Sequence, residues 1–212
     1  MTANYKTGRH WLCRETVFIM NIGIKDDNIP GTRLHKHEMG NVTGMEFLNK
    51  IYFITDGIML SQVREISNVD GSTLQNWVKR GWIMNPVNKR YSKDQLARIL
   101  IINMLRDTML FERIDFLLKY INGNVNNRDD DIICESELYE YICRILERIT
   151  QDGSDIGYSE ARLNDIINEI LEEYSERVAG AKKRLEKALE IIVISYYATL
   201  LKAHTNQLFE NL

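Results

Sequence analysis

LSQVREISNVDGSTLQNWVKRGWIMNPVNKRYSKDQLARIL, residues 60–100, is the stretch whose reading decides the fold. It opens with a short amphipathic helix over 60–67, with Val63 and Ile66 turned inward. Asn68, Val69, Asp70 and Gly71 form a tight turn, at which Gly71 or Asp70 is expected to supply the unusual backbone angle. Ser72 with Gln75 has the spacing of a capping box, which starts a second short helix with Leu74, Trp77 and Val78 on its apolar side. Gly81 suits the position just past that helix. WIMNPVNKRY then reads as an extended segment or the remnant of a hairpin bent at Pro86. Ser92 and Gln95 make another capping box, and the helix behind it is apolar nearly all round, at Leu96, Ile99, Leu100, Ile101, Ile102, Met104 and Leu105. Such a helix belongs at the centre of a core.

Outward from this stretch the elements are helical. Thr43 and Glu46 suggest a capping box for GMEFLNKIYFIT, a helix expected to bury Phe47, Ile51 and Ile54 and to end at Asp56 and Gly57. An amphipathic helix over 111–121 stops at Asn122 and Gly123, and a further helix over 136–149 aligns Leu138, Ile142, Ile145 and Ile149. The polar GNVNNRDDD at 123–131 is the best candidate for a domain boundary, and QDGSDIG at 151–157 is a second break. From Ser159 the pattern is helical to the last residue. Apolar positions there follow steps of three, four and four through Ile167, Ile170, Tyr174, Val178, Ala181, Leu185, Leu189, Ile192, Tyr196 and Leu200. A helix of that length either pairs with another chain or breaks near Ala179 and Gly180 and folds back. The expected organisation is an arm over 1–42 with a short strand at ETVFIMNIGI, a helix-turn-helix domain over 43–122, an acidic linker and helix over 123–157, and a long helix or helical hairpin over 158–212.

Charge is distributed unevenly. The 212-residue chain carries a net −3, but residues 60–121 hold +4 and residues 122–177 hold −10, with +1 before and +2 after. A basic block beside an acidic one points to separate partners. The second short helix exposes Gln75, Asn76, Lys79 and Arg80, of which glutamine and asparagine can bond adenine edges and arginine guanine or phosphate. Ser72 and Thr73 stand at its N-terminus, where free N–H groups favour an anion. Lys89, Arg90 and Lys93 extend the basic surface. These nine residues are the expected contacts to double-stranded DNA.

The residues resemble a known head. Leu60 and Ser61, Val63, Val69, Thr73 and Leu74, Lys79, Arg80 and Gly81, Pro86, Tyr91 and Ser92, Leu96, Ile99, Ile114, Leu117 and Leu118 are similar to the N-terminal head of the MerR family of bacterial regulators. Trp77 stands where that family often has tyrosine. Residues 43–149 resemble more closely a bacterial domain family of unknown function that carries a MerR-like head, through QNWVKRGW, PVNKRYSKDQ, INMLRD, LLKYINGN and DDDIICESELYEYI. The resemblance implies a mostly α protein with a winged helix-turn-helix head, a DNA-binding role in transcription regulation, and homodimers joined by a C-terminal coiled coil. MerR heads carry a longer basic wing than the Val87, Asn88, Lys89 and Arg90 found here, and the C-terminal half has no recognisable effector-binding domain.

Other chemistry finds less support. His10 and Cys13, with His35 and His37, could supply zinc ligands, but no paired-cysteine knuckle accompanies them, so surface histidines and a buried thiol are expected and no metal or cofactor. Cys13, Cys134 and Cys143 are an odd set without CxxC, as in a reducing compartment. No glycine-rich phosphate loop, GxSxG or HExxH is present, so the expectation is not an enzyme. No secretory signal is evident, and the longest apolar run, at 191–201, is too short for the ~20 residues of a membrane span. The chain is read as cytoplasmic. The rival reading is a protein-interaction module that keeps the head as a fold, its acidic C-terminal half meeting a protein partner.

Overall fold

The computed structural model describes residues 27–123, 125, 127–151 and 160–212. The strand expected at 15–24, His10 and Cys13, and all but the first residue of the QDGSDIG break lie outside the described residues. The described chain is mostly helical: α1 (Gly44–Ile51), α2 (Leu60–Ser67), α3 (Gly71–Lys79), α4 (Lys93–Leu105), α5 (Phe111–Asn122), α6 (Glu135–Gln151), α7 (Glu160–Ile170) and α8 (Ala181–Glu210). Two antiparallel two-residue strands, β1 (Ile58–Met59) and β2 (Arg90–Tyr91), pair Ile58 with Tyr91 and Met59 with Arg90.

Helix α4 is the axis of the molecule. Ten of its residues are buried, from Gln95 to Leu105, in keeping with its all-round apolar sequence. Ser92 caps it as its sequence predicts: the Ser92 hydroxyl accepts from the Gln95 N–H, and the Gln95 side chain accepts from the Ser92 N–H at 2.8 Å. Helices α2, α6 and α8 pack around α4, and α1 lies against α6. The core is continuous from Ile29 through Trp77, Leu100, Tyr139 and Ile167 to Tyr196. Residues 123–134 therefore connect two parts of one core.

A buried ion pair fastens α6 to α4. Arg98 donates to Glu135 at 3.2 Å, both side chains being 4 % exposed, and to the Trp82 carbonyl at 2.6 Å. Arg128 reaches Glu135 as well, and Asp94 at 2.9 Å. Asp94 in turn accepts from the backbone N–H of Ser136, so a carboxylate on α4 supplies the cap for the first turn of α6. The fifteen acids of 122–177 are thus not all solvated helix faces.

Several local expectations are corrected. Helix α1 ends at Ile51, four residues before the end expected from sequence. Tyr52 turns its hydroxyl to the Tyr91 and Ser92 carbonyls, and Ile54 is 88 % exposed instead of buried. Thr43 does not cap α1 with its side chain; Glu140 of α6 accepts from the Met45 N–H at 2.5 Å. Asn68, at φ 54°, makes the turn between α2 and α3, and not Gly71 or Asp70. Past Ile170 the chain leaves the helix through a single 3₁₀ turn, Leu171–Glu173, and folds back into α8 after Gly180, at φ 81°, at the Ala179–Gly180 break that the sequence offers as one of two alternatives. Val178 is left 53 % exposed in that connection. Cys134 and Cys143 are free thiols, and burial pushes the Cys143 thiol well above its usual range.

Candidate nucleic-acid interface

Helix α3 packs on the core through Leu74 and Trp77, both buried, with Val78 half-buried. One face of a nine-residue helix is then committed inward, and Gln75, Asn76, Lys79 and Arg80 are exposed on the other. The helix ends in a Schellman motif: the Trp82 N–H donates to the Trp77 carbonyl and the Gly81 N–H to the Val78 carbonyl, with Gly81 at φ 73° as its sequence predicts. The motif turns Trp82 back beneath the end of α3. There its ring stacks on Phe111 at 4.6 Å and lies 5.2 Å under the Arg80 guanidinium. Arg80 also donates to Asn76 at 3.4 Å. The sequence reading did not single out Trp82; its place two residues after an exposed arginine, across a helix-ending glycine, was the available signal.

The second basic cluster lies on the β2 turn. Asn88 and Lys89 both adopt positive φ, at 50° and 60°, the signature of a type I′ turn, and the Arg90 N–H closes it on the Val87 carbonyl at 2.9 Å. The bend therefore sits at Asn88 and Lys89, two residues after Pro86. Lys89 is exposed at its tip. Arg90 and Lys93 are less available. Arg90 donates to the Gly57 carbonyl at 2.9 Å and so braces β1, and Lys93 donates to Asn49 of α1 at 2.7 Å.

The N-terminus of α3 is arranged differently from the expectation. Asp70, not Ser72, is its N-cap, accepting from the Thr73 N–H at 2.8 Å. The Ser72 and Thr73 hydroxyls donate to the same carboxylate at 2.5 and 2.6 Å. These three hydrogen bonds hold the Asp70 carboxyl well below the usual carboxylate range. A negative group already occupies the position at which a phosphate would meet the free N–H groups of the helix.

Among the described residues, α6 packs chiefly against α1, α4, α7 and α8. His35 and His37 stack with their rings 5.4 Å apart, and no group of three metal-ligating side chains gathers among the described residues. No helix among the described residues is long and apolar enough to cross a membrane.

Comparison with known proteins reaches the same region. Residues 46–142, from α1 into α6, match the model of a domain of unknown function, DUF1836. The chain is similar to an uncharacterised protein of Bacillus subtilis (strain 168), YkrK, at 29 % identity over 153 residues. That alignment takes in 68 % of this chain and 63 % of the relative, so the chain spans less than two thirds of the relative's length. No solved structure matches the chain. The matched region ends inside α6, so it includes the Arg98–Glu135 joint along with α3 and the β2 turn.

Proposed function

We propose that the chain is a DNA-binding regulator of bacterial transcription whose α2–turn–α3 unit is a MerR-like helix-turn-helix. Helix α3 enters the major groove and Lys89 on the β2 turn contacts the backbone beside it, as a minimal wing. One observation carries this reading. Gln75, Asn76, Lys79 and Arg80 form a polar and basic face that the core does not use, on the second helix of a compact pair. Stacking on Trp82 gives the Arg80 guanidinium a fixed place, which lowers the entropy lost on engaging a base or phosphate. Weight within the site falls on Gln75, Asn76, Lys79, Arg80 and Lys89. Ser72, Thr73, Arg90 and Lys93 have partners within the chain and act as supports, releasing those partners only at a cost.

Selection of genomic fragments by gel shift at low salt tests the reading. The wild-type protein retains fragments with an affinity that falls steeply as salt rises, and Lys79→Glu/Arg80→Glu loses retention while its melting temperature holds. Absence of salt-sensitive binding, or equal binding by the double variant, would falsify it.

A second reading has its own observation. The Asp70 carboxylate at the head of α3 repels a phosphate placed there, as it would not repel a cationic or neutral protein surface. On that reading the unit is a protein-interaction module. Asp70→Asn separates the two: it strengthens retention of DNA on the first reading and leaves none to strengthen on the second.

A further inference from the structure

The supports of Arg80 come from outside the helix pair. Trp82 is held at three points. Its N–H donates to the Trp77 carbonyl at 3.0 Å, its carbonyl accepts from the Arg98 Nε at 2.6 Å, and its ring stacks on Phe111 of α5 at 4.6 Å and 6°. Arg98 is fixed in turn by Glu135, across the buried ion pair between α4 and α6. Phe111 also meets the buried Trp77 ring at 5.7 Å. A ring tied at its backbone and stacked on an anchored neighbour keeps one orientation. The Arg80 guanidinium lies over that ring, 5.2 Å from its centre.

Asn76 removes a further freedom. The Arg80 Nε donates to the Asn76 Oδ1 at 3.4 Å, one turn back along the helix. The bond constrains both side chains. Arg80 keeps Nη1 and Nη2, the paired donors that match O6 and N7 of guanine. Asn76 gives up its adenine geometry, in which Oδ1 accepts from N6 while the amide group donates to N7, because Oδ1 is turned to Arg80. A phosphate takes a hydrogen bond from arginine in many orientations, whereas a guanine edge takes two only from a guanidinium in its own plane. Fixing that plane therefore serves base reading and adds little to a backbone contact.

We infer that Arg80 reads a guanine in the major groove, that Trp82 and Phe111 are its platform, and that Asn76 is a positioning residue for it and not an adenine reader. The inference rests on the DNA-binding reading above and names what that site selects. A guanine stands at the level of the C-terminal end of α3, and adenine reading falls to Gln75. Two of the determinants, Phe111 on α5 and Arg98 on α4, lie outside the helix-turn-helix itself. The buried joint between α4 and α6 thus reaches the DNA-facing arginine through one carbonyl and one ring.

The platform is read first without DNA. In NMR spectra of the full chain the Arg80 side-chain protons are shifted upfield by the Trp82 ring; Trp82→Leu returns them to ordinary positions and Trp82→Phe keeps part of the shift. Ordinary Arg80 shifts in the wild type overturn the platform. The base is read on a genomic fragment that the wild type retains, with 7-deazaguanine, which lacks N7, placed at each guanine in turn. One position weakens wild-type binding about tenfold. Arg80→Ala and Asn76→Ala lose sensitivity at that same position, as does Trp82→Leu, with the salt dependence of Asn76→Ala and Trp82→Leu unchanged because neither removes a charge. Trp82→Phe retains the sensitivity. Lys79→Ala instead weakens binding to all sequences alike and lowers the salt slope by about one. Loss of discrimination at an A·T pair in Asn76→Ala, or even weakening across all sequences in Trp82→Leu, overturns the inference. Retention of no fragment overturns the DNA reading itself, whereas retention with no guanine-dependent position overturns this inference alone. Arg80 and Asn76 are exposed, so their variants keep the test decisive should Trp82→Leu fail to fold.

Discussion

Helices α3 and α8 each bury one face and leave the other outside the core, yet the two outer faces have opposite chemistry. On α3 the free face is amide and cation: Gln75, Asn76, Lys79 and Arg80. On α8 it carries exposed aliphatic side chains, Ile191, Ile194 and Leu208. Exposure alone is common to both and says little, since folded proteins expose much apolar area. What separates them is arrangement. Polar side chains on a short helix, with one guanidinium stacked on Trp82, suit a partner that offers hydrogen-bond edges and negative charge. Aliphatic side chains in solvent offer neither hydrogen-bond edges nor charge.

The sharpest way to break this comparison is to remove the buried support of one face. Trp77→Ala takes the largest side chain from beneath α3 and is expected to destabilise the chain by about 3–5 kcal/mol, read by urea unfolding. Because the core is continuous, the loss appears as one transition of lower midpoint; a separate early transition would show that the α3 region unfolds apart from α8. A smaller effect is expected from changing the outer face alone. Gln75→Ala/Asn76→Ala leaves stability within ~0.5 kcal/mol. On the DNA reading it relaxes discrimination by about 1–3 kcal/mol at the bases contacted, measured as the ratio of affinities for selected and shuffled sites. An unchanged ratio would remove these two residues from the site.

The smallest effect concerns Asp70. Its carboxyl titrates below the ordinary range in the folded chain, so its contribution to stability is fully present at neutral pH and is lost as pH falls through the lowered folded value. Asp70→Asn should therefore flatten the acid limb of the melting curve. On the DNA reading, removing the charge from the head of α3 raises DNA retention about two- to fivefold. A wild-type acid limb in the variant would show that the carboxylate carries no such linkage.

Much of the fold was legible in the chain. Strong patterns succeeded: the all-round apolar run of α4, the Ser92 and Gln95 box, the glycine after α3, and the aligned apolar residues of α6 at Leu138, Ile142 and Ile145 all form as read. The exposed set on α3 was legible too, because a nine-residue helix that buries Leu74 and Trp77 must present Gln75, Asn76 and Lys79 elsewhere. Two-residue strands have no period to detect, so β1 is not legible in the gap between two helices. The caps of α1 and α6 come from Glu140 and Asp94, 95 and 42 residues away in sequence, where no spacing rule reaches. At Ser72 the local rule chose the wrong acceptor, because a carboxylate two residues earlier competes better for the same N–H groups.

By itself, the sequence determined where most helices lie and which side of most of them is apolar, since both follow from neighbours within one or two turns. It also contained both apolar stripes of α8, but not the means of telling them apart. Only the tertiary structure decided that the chain breaks at 171–180 and folds back, which turns the stripe of Leu185, Leu189 and Ile192 onto α4 and α7 and leaves the stripe of Ile191, Ile194 and Leu208 in solvent. Helical periodicity fixes angles around an axis. Which angle faces the core is set by contacts between residues far apart in the chain, and those exist only in the folded molecule.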